Sequence, residues 1–147
     1  MASQSTLTVE RSVDLDVSVA ELWRALTDPD ELAAWFAPEA ELDVRTGGRG
    51  WFVDDEGVRR GAVVESVEVE RRLVLRWWPD GGELGAATTV TLDVAPRAGG
   101  ARLTVTEQLC PAADPDLSAV AEAAASAWMW RLDMLLLRVA AAATARV

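Results

Sequence analysis

A chain of 147 residues, half of them apolar, is long enough to bury one hydrophobic core, and we expect a single domain over residues 1–147. The net charge of -10 repels phosphate backbones and excludes nucleic acid as an expected partner. The sequence has no His and no Lys, and its single cysteine is Cys110, so His-based triads and metal sites, lysine Schiff bases and internal disulfides are excluded. We expect neither a metal nor an organic cofactor.

The first predicted element is a strand. Apolar residues occupy odd positions from Leu7 to Val17, with mostly polar residues between them, which is the period of a half-buried strand. The residues before it resemble neither the basic nor the apolar part of a signal peptide, and Asp133 and Arg138 interrupt the apolar run near the C-terminus. We therefore expect a cytoplasmic protein with no segment inserted in a membrane.

Two short helices follow the strand, each with its own start signal. Ser18 and Glu21 have the spacing of a capping box, and Asp28 followed by Pro29 begins the second helix. Apolar residues recur at helical spacing in both segments, so each helix is expected to bury one stripe. These residues are Val19, Leu22, Trp23 and Leu26 in the first helix, and Leu32, Trp35 and Phe36 in the second.

About six antiparallel strands and one long helix are predicted for the rest of the chain. Alternating apolar residues indicate the strands, and turn sequences separate them at 46–50, 54–57, 79–82 and 98–100. From Asp114 to about Arg146 the chain is rich in Ala and Leu and contains no Gly, which predicts a single helix. The expected order is therefore a strand, two short helices, the strands and the long helix.

An antiparallel sheet with one apolar face needs a cover, and only the terminal helix is long enough to provide it. The predicted fold class is therefore α+β. Small alanines in the first half of that helix favour a cavity between helix and sheet, although close packing explains them equally well. The expected sheet-facing stripe of the helix consists of Leu117, Ala121, Ala124, Trp128, Leu132, Leu135 and Val139.

Six segments resemble, in the same order, those of a known family: Leu22–Pro29, Trp35–Pro38, Gly47–Gly48, Arg72–Trp77, Gly100–Thr106, and Trp128 with Leu132. On these segments the chain is similar, over nearly its full length, to the START-like or SRPBCC superfamily, in the branch related to the heat-shock-protein-90 ATPase activator. The resemblance implies a helix-grip fold, in which a curved antiparallel sheet of six to seven strands wraps the long C-terminal helix and encloses a hydrophobic pocket. Members include lipid and polyketide binders, aromatic cyclases and stand-alone bacterial proteins.

Two charged residues are candidates for the polar end of that pocket. Arg11 lies on the apolar face of the first strand, and Glu107 lies on the apolar face of the last strand. The resemblance implies that these strands are neighbours, so we expect an inward-facing Arg11–Glu107 pair that orients a polar group of a ligand. A purely structural pair, or exposure of both residues where the strands fray, is the alternative. Glu65 shares the inner face of its strand, but a bulge near Ser66 would turn it outward.

The seven tryptophans suit a pocket for flat, apolar ligands. Trp51, Trp78 and Trp128 are the candidates for its lining, with Ala124 and Leu132 of the long helix beside them. The tryptophans interpreted as ordinary core residues are Trp23, Trp35 and Trp77.

A second apolar stripe runs along the long helix at i, i+4, i+7 and i+11, and consists of Trp130, Met134, Leu137 and Ala141. Trp128 and Trp130 are about 200° apart around the helix axis, so both cannot face the sheet. Exposed apolar stripes are typical of contact sites. We therefore hypothesise a homodimer through this stripe, with partial cover by the loop before the helix as the alternative.

The function favoured by the sequence is the binding of a hydrophobic or aromatic small molecule, lipid-like or polyketide-like, between sheet and helix. The first alternative is an enzyme of the polyketide cyclase or dehydratase type, in which Glu107 or Glu65 is the acid or base and Arg11 polarises a carbonyl. The second alternative is a module that binds a chaperone or regulator through the Trp130 stripe.

Overall fold

The computed structural model describes residues 7–54, 57–79, 88–109 and 117–145. The strands are β1 (Leu7–Leu15), β2 (Glu39–Leu42), β3 (Arg49–Val53), β4 (Arg59–Glu68), β5 (Arg72–Pro79), β6 (Thr88–Arg97) and β7 (Gly100–Leu109). The helices are α1 (Val19–Thr27), α2 (Pro29–Trp35) and α3 (Leu117–Ala145). This order confirms the predicted one.

The seven strands form one curved antiparallel sheet in the order β1-β7-β6-β5-β4-β3-β2. Every neighbouring pair except β1 and β7 is consecutive along the chain. The β1–β7 pairing brings the first and last strands together, with Val9 opposite Glu107 and Arg11 opposite Val105. The sheet and its terminal helix confirm the α+β helix-grip fold.

Both short helices begin at the predicted caps. The Ser18 hydroxyl accepts a hydrogen bond from the Glu21 amide at 3.1 Å, and the Asp28 carboxylate accepts one from the Asp30 amide at 2.9 Å. Each such cap stabilises a helix by about 1 kcal/mol. Pro29 occupies the first turn of α2, where its missing N–H costs nothing.

The core lies between the concave face of the sheet and the helices. The described inward stripe of α3 is buried at Trp128, Leu132 and Leu135 and half-buried at Ala124 and Val139, as the helical period predicted. The side chains of Leu117 and Ala121 lie outside the described residues. The sheet contributes Val64, Leu73, Leu75, Val90, Leu92, Leu103 and Val105, each at most 1 % exposed.

The predicted bulge in β4 is present. The pairing of β4 with β5 shifts between Val64 and Ser66, and Glu65 lies on the outer surface because Ala62 and Val64 are the inward residues of this part of the strand. The Glu65 carboxylate there pairs with the Arg76 guanidinium at 3.3 Å. Within the described ranges, none of the three helices combines the length and apolar character that a bilayer crossing requires.

Candidate functional site

A buried carboxyl group connects the sheet to the long helix. The side chain of Glu107 on β7 is 6 % exposed and accepts three hydrogen bonds. The donors are the indole N–H of Trp77 at 2.9 Å, the hydroxyl of Thr88 at 2.6 Å and the indole N–H of Trp128 at 2.9 Å. Because all three donors are satisfied by one residue, Glu107 sets the positions of both tryptophan rings.

The two tryptophans stack on each other, and an arginine of α3 contacts both rings. The Trp77 and Trp128 ring centroids are 5.9 Å apart with an interplanar angle of 20°. The guanidinium of Arg131, on α3, lies 4.8 Å from the Trp128 centroid, 5.3 Å from that of Trp77 and 5.1 Å from that of Phe36. Its Nε donates to the Phe36 carbonyl at 3.1 Å. Three rings and a carbonyl therefore hold a buried cation.

Arg131 also lies at the wall of a pocket of about 500 Å³. The pocket opens between α2, the adjoining ends of β3 and β4, and the middle of α3. Its walls are formed by residues 33–38, by Asp54 and Arg60, and by Ala127, Trp130, Arg131 and Met134. Nine of these twelve residues are apolar and three are charged, a mixed lining that can hold a small molecule carrying both an apolar part and a polar group.

The charges at the pocket wall are unequally satisfied. Arg131 is hydrogen-bonded and stacked, and the Asp54 carboxylate accepts the Val58 amide at 2.9 Å. The Arg60 guanidinium lies 5.1 Å from the Trp77 centroid, and its buried Nε has no acceptor among the described residues. A smaller cavity of about 180 Å³ lies between the three helices, and Arg138 and Glu31, which form a 3.2 Å ion pair, are part of its lining. No cluster of metal-ligating side chains occurs among the described residues.

Comparison with known proteins places this architecture in a family. The model of the family described as activator of Hsp90 ATPase homolog 1-like proteins matches residues 16–136. The chain belongs to this family. It is therefore a member of the START-like superfamily, in the branch that the sequence motifs indicated. A search of curated protein sequences finds no match.

Several solved structures share this fold. DynU16, from the dynemicin biosynthetic locus, is 25% identical with a TM-score of 0.76; the match covers 88% of this chain, which spans only 45% of DynU16. Protein MLL2253 from Mesorhizobium loti is 23% identical with a TM-score of 0.75, over 90% of this chain and 95% of that one. CalU16 from Micromonospora echinospora is 21% identical with a TM-score of 0.69, over 94% and 87%.

In this member of the family, two predicted lining residues lie on the opposite side of the sheet from the core. Phe52 is buried, so its strand neighbour Trp51 points to the convex face, where its indole N–H donates to Glu41 at 3.2 Å. Trp78 lies on the same face, across Gly61 from Trp51. The reason is strand parity, because adjacent residues point to opposite faces and Trp77, not Trp78, is the inward one.

The predicted Arg11–Glu107 pair does not form, and this expectation is corrected. Both residues are described: Glu107 is buried as expected, but Arg11 is exposed and donates to the Glu10 carbonyl at 2.9 Å. Arg11 lies opposite Val105 on the edge strand, so its long side chain reaches solvent, while indole and hydroxyl donors occupy Glu107. Arg11, Glu107 and the outward Glu65 therefore do not converge, and their geometry does not favour the cyclase alternative.

The remaining candidates lie near the pocket without forming its wall. Trp128 is completely buried, Leu132 is 5 % exposed, and Ala124 packs partly against the core. Of these, Trp128 contacts the lining residues Phe36 and Arg131, and the part of the wall that α3 contributes is made by Ala127, Trp130, Arg131 and Met134. Whether a ligand contacts any of the seven predicted site residues stays a prediction.

Sequence reasoning missed Arg60, Arg131 and Trp77 as residues of the site. The sequence did contain a signal that the side chains of Arg60 and Arg131 face inward. Arg60 has the parity of the buried Ala62 and Val64 in β4, and Arg131 lies three residues after Trp128 on the inward side of α3. An arginine on an apolar face is unusual enough to indicate either a buried partner or a ligand.

Proposed function

We propose that this protein binds a hydrophobic or aromatic small molecule, of lipid-like or polyketide-like character, in the pocket between α2, the β3–β4 ends and α3. The observation that carries the proposal is a pocket of about 500 Å³ with an aromatic and alanine-rich wall, supported from below by the Trp77–Trp128 stack. Pockets of this size and lining are typical of small-molecule sites.

The comparisons support a ligand-binding fold in general, and they do not identify the ligand. The family has a ligand-binding fold, and DynU16, which shares that fold, comes from a biosynthetic locus. The pocket differs in place from the one expected between the first half of α3 and the sheet, because Trp128 fills the core at the level where α3 meets Trp77. In this proposal the ligand enters beside α3, at residues 127–134.

Two adjacent small residues on α3 provide the test. Ala127 lines the pocket, and the residue before it, Ser126, is exposed outside the pocket wall. We expect Ala127→Phe to fill the pocket and abolish binding. Ser126→Phe adds the same ring outside the pocket, so this control should bind as the unmodified protein does. Binding is measured by calorimetry and by tryptophan emission with a panel of naphthalene derivatives, fatty acids and flavonoids; burial of apolar surface should give a negative heat-capacity change.

The residue that should report the binding is Trp130, which lines the pocket at 55 % exposure. Trp130→Phe should remove most of the emission change without removing the heat of binding. Trp51→Phe should leave the emission change in place, since Trp51 lies on the convex face. No saturable response in the panel, or equal binding by Ala127→Phe and Ser126→Phe, would contradict the proposal.

A second candidate function is protein contact through the outer side of α3. Trp130 and Leu137 are 55 % and 65 % exposed, and Met134 is half-buried beside them, which favours the homodimer or a chaperone-binding or regulator-binding module. A monomeric mass by light scattering at micromolar concentration would exclude the homodimer. Capture of Hsp90 that is lost with Leu137→Ser and retained with Ala127→Phe would favour the module.

A further inference from the structure

The larger pocket contains an arginine whose charge is unmatched among the described residues. Arg60 pairs in register with Phe52 on one side and Pro79 on the other, and its side chain extends over the Trp77 ring on the concave face. Its Nε is buried and has no acceptor, and no ion pair or hydrogen bond joins Arg60 to any described side chain. A buried donor in that condition is rare in folded proteins.

A second guanidinium faces the same ring. Arg131 lies 5.3 Å from the Trp77 centroid and Arg60 lies 5.1 Å from it, so two like charges contact one ring beside the pocket. The opposing charge in the described lining is Asp54, whose carboxylate already accepts the Val58 amide. Arg131 has a carbonyl acceptor, whereas the Nε of Arg60 has no acceptor among the described residues.

We propose that the ligand of this pocket is an apolar carboxylate, and that Arg60 binds its carboxylate group. This inference rests on the proposed function and names its ligand class. The Nε and one Nη of a guanidinium form a planar fork that matches the two oxygens of a carboxylate. When the Arg60 side chain turns so that this fork faces the pocket, a carboxylate there supplies the acceptor that the Nε lacks, while the apolar body of the ligand contacts Phe36 and Trp130.

Three compounds with one ring system and different charge test this inference: 2-naphthoate, 2-naphthamide and 2-naphthylmethylamine. Dodecanoate and dodecanamide form the corresponding aliphatic pair, which separates an aromatic acid from a fatty acid as the source of the carboxylate. In at least one of the two acid–amide pairs, we expect the unmodified protein to bind the carboxylate at least about tenfold more tightly than the amide. A charge-assisted bidentate contact predicts a difference of this size. The amine should bind more weakly than both.

The variants separate the charge of Arg60 from its packing. Arg60→Met keeps an apolar stem over Trp77 and should lose about tenfold in carboxylate affinity with less than about twofold change for the amide. Arg60→Lys should lose an intermediate amount, because it keeps the charge without the fork. The control is Arg59→Met, which removes the same charge from the adjacent residue; Arg59 lies on the convex face over Trp51, so binding should not change.

The outcomes distinguish the two claims. Equal affinities for carboxylate and amide, with Arg60→Met affecting neither or both equally, would overturn the carboxylate inference and leave the binding function standing. Tighter binding of the amine would overturn it as well and would indicate Asp54 as the recognising group. The absence of saturable binding by all five compounds would overturn the binding function and this inference together.

Discussion

The indole N–H of Trp128 donates a hydrogen bond to the carboxyl group of Glu107 at 2.9 Å, and this bond joins the long helix to the last strand inside the core. Trp77 and Thr88 donate to the other carboxyl oxygen, so β5 and β6 are connected to the same group. A single acidic residue therefore connects α3 to three neighbouring strands of the sheet, β5, β6 and β7.

Replacing Glu107 by Gln should destabilise the protein. The amide keeps one acceptor oxygen and places an NH2 group where the other oxygen was, so at least one buried donor faces another donor. We expect the free energy of unfolding to fall by roughly 2 kcal/mol, because a buried donor left without an acceptor costs about 1 to 3 kcal/mol. Urea unfolding at neutral pH measures this change.

A double-mutant cycle with Trp128→Phe checks that the loss comes from this bond. Removing the indole N–H should make Glu107→Gln milder, with a coupling of about 1 kcal/mol or more. Arg11→Met is the matched control, because Arg11 is exposed on the edge strand and should change stability by less than about 0.5 kcal/mol. Strict additivity of Glu107→Gln and Trp128→Phe would contradict the network.

Arg60 and Arg131 should differ in their contributions to stability even though both line the pocket. Arg60→Met removes a donor that has no acceptor among the described residues, so the stability of the ligand-free protein should stay the same or rise by up to about 1 kcal/mol. Arg131→Met removes the bond to the Phe36 carbonyl and the contacts with three rings, and should cost about 2 kcal/mol. A larger loss from Arg60→Met in chemical denaturation would show that Arg60 has a structural role.

Asp14 should contribute a stability that depends on pH. Its carboxylate contacts Arg102 at 2.7 Å and Arg97 at 2.6 Å, and the hydrogen bond from Arg102, with Arg97 adding attraction, lowers the pKa of Asp14 below its usual value. A carboxyl group whose pKa is lowered by folding stabilises the folded state above its unfolded pKa, and this contribution is lost as the pH falls through the folded pKa.

Asp14→Asn should therefore be less stable than the unmodified protein at pH 7, and the difference should disappear in strong acid. Thermal melts across this pH range measure it. Asp133→Asn removes the same charge from an exposed position of α3 that has no ion pair among the described residues, and it controls for net charge. A difference for Asp14→Asn that is constant with pH would contradict the lowered pKa.

Gly61 leaves space for the Trp78 ring on the convex face of the sheet. A Cβ built at Gly61 lies 2.8 Å from the Trp78 Nε1 and 2.9 Å from its Cε2, so an alanine requires the ring to move. Gly61→Ala should cost about 1 kcal/mol, at the lower end for overpacking because the ring lies at the surface. In a Trp78→Leu background the same change should be neutral; an equal cost in both backgrounds would indicate a backbone cause.

The sequence by itself determined the elements and the fold. The caps at Ser18 and Asp28, the alternation in the strands and the inward stripe of α3 are local signals, and each reflects a period of side-chain direction that the backbone imposes. The bulge near Ser66 was also predicted from the sequence, but the direction of the Glu65 side chain was left open and was decided by the pairing of β4 with β5.

Only the tertiary structure decided which inward residues meet. Parity places Glu107 and Arg60 on the concave face, but the curvature of the sheet and the line taken by α3 determine that Glu107 contacts two indoles and that Arg60 and Arg131 share the Trp77 ring. The Arg11–Glu107 expectation failed for the same reason. A sequence period specifies the face of a strand, whereas contact depends on distances between segments that are far apart in the chain, and those distances are set by packing of the whole core.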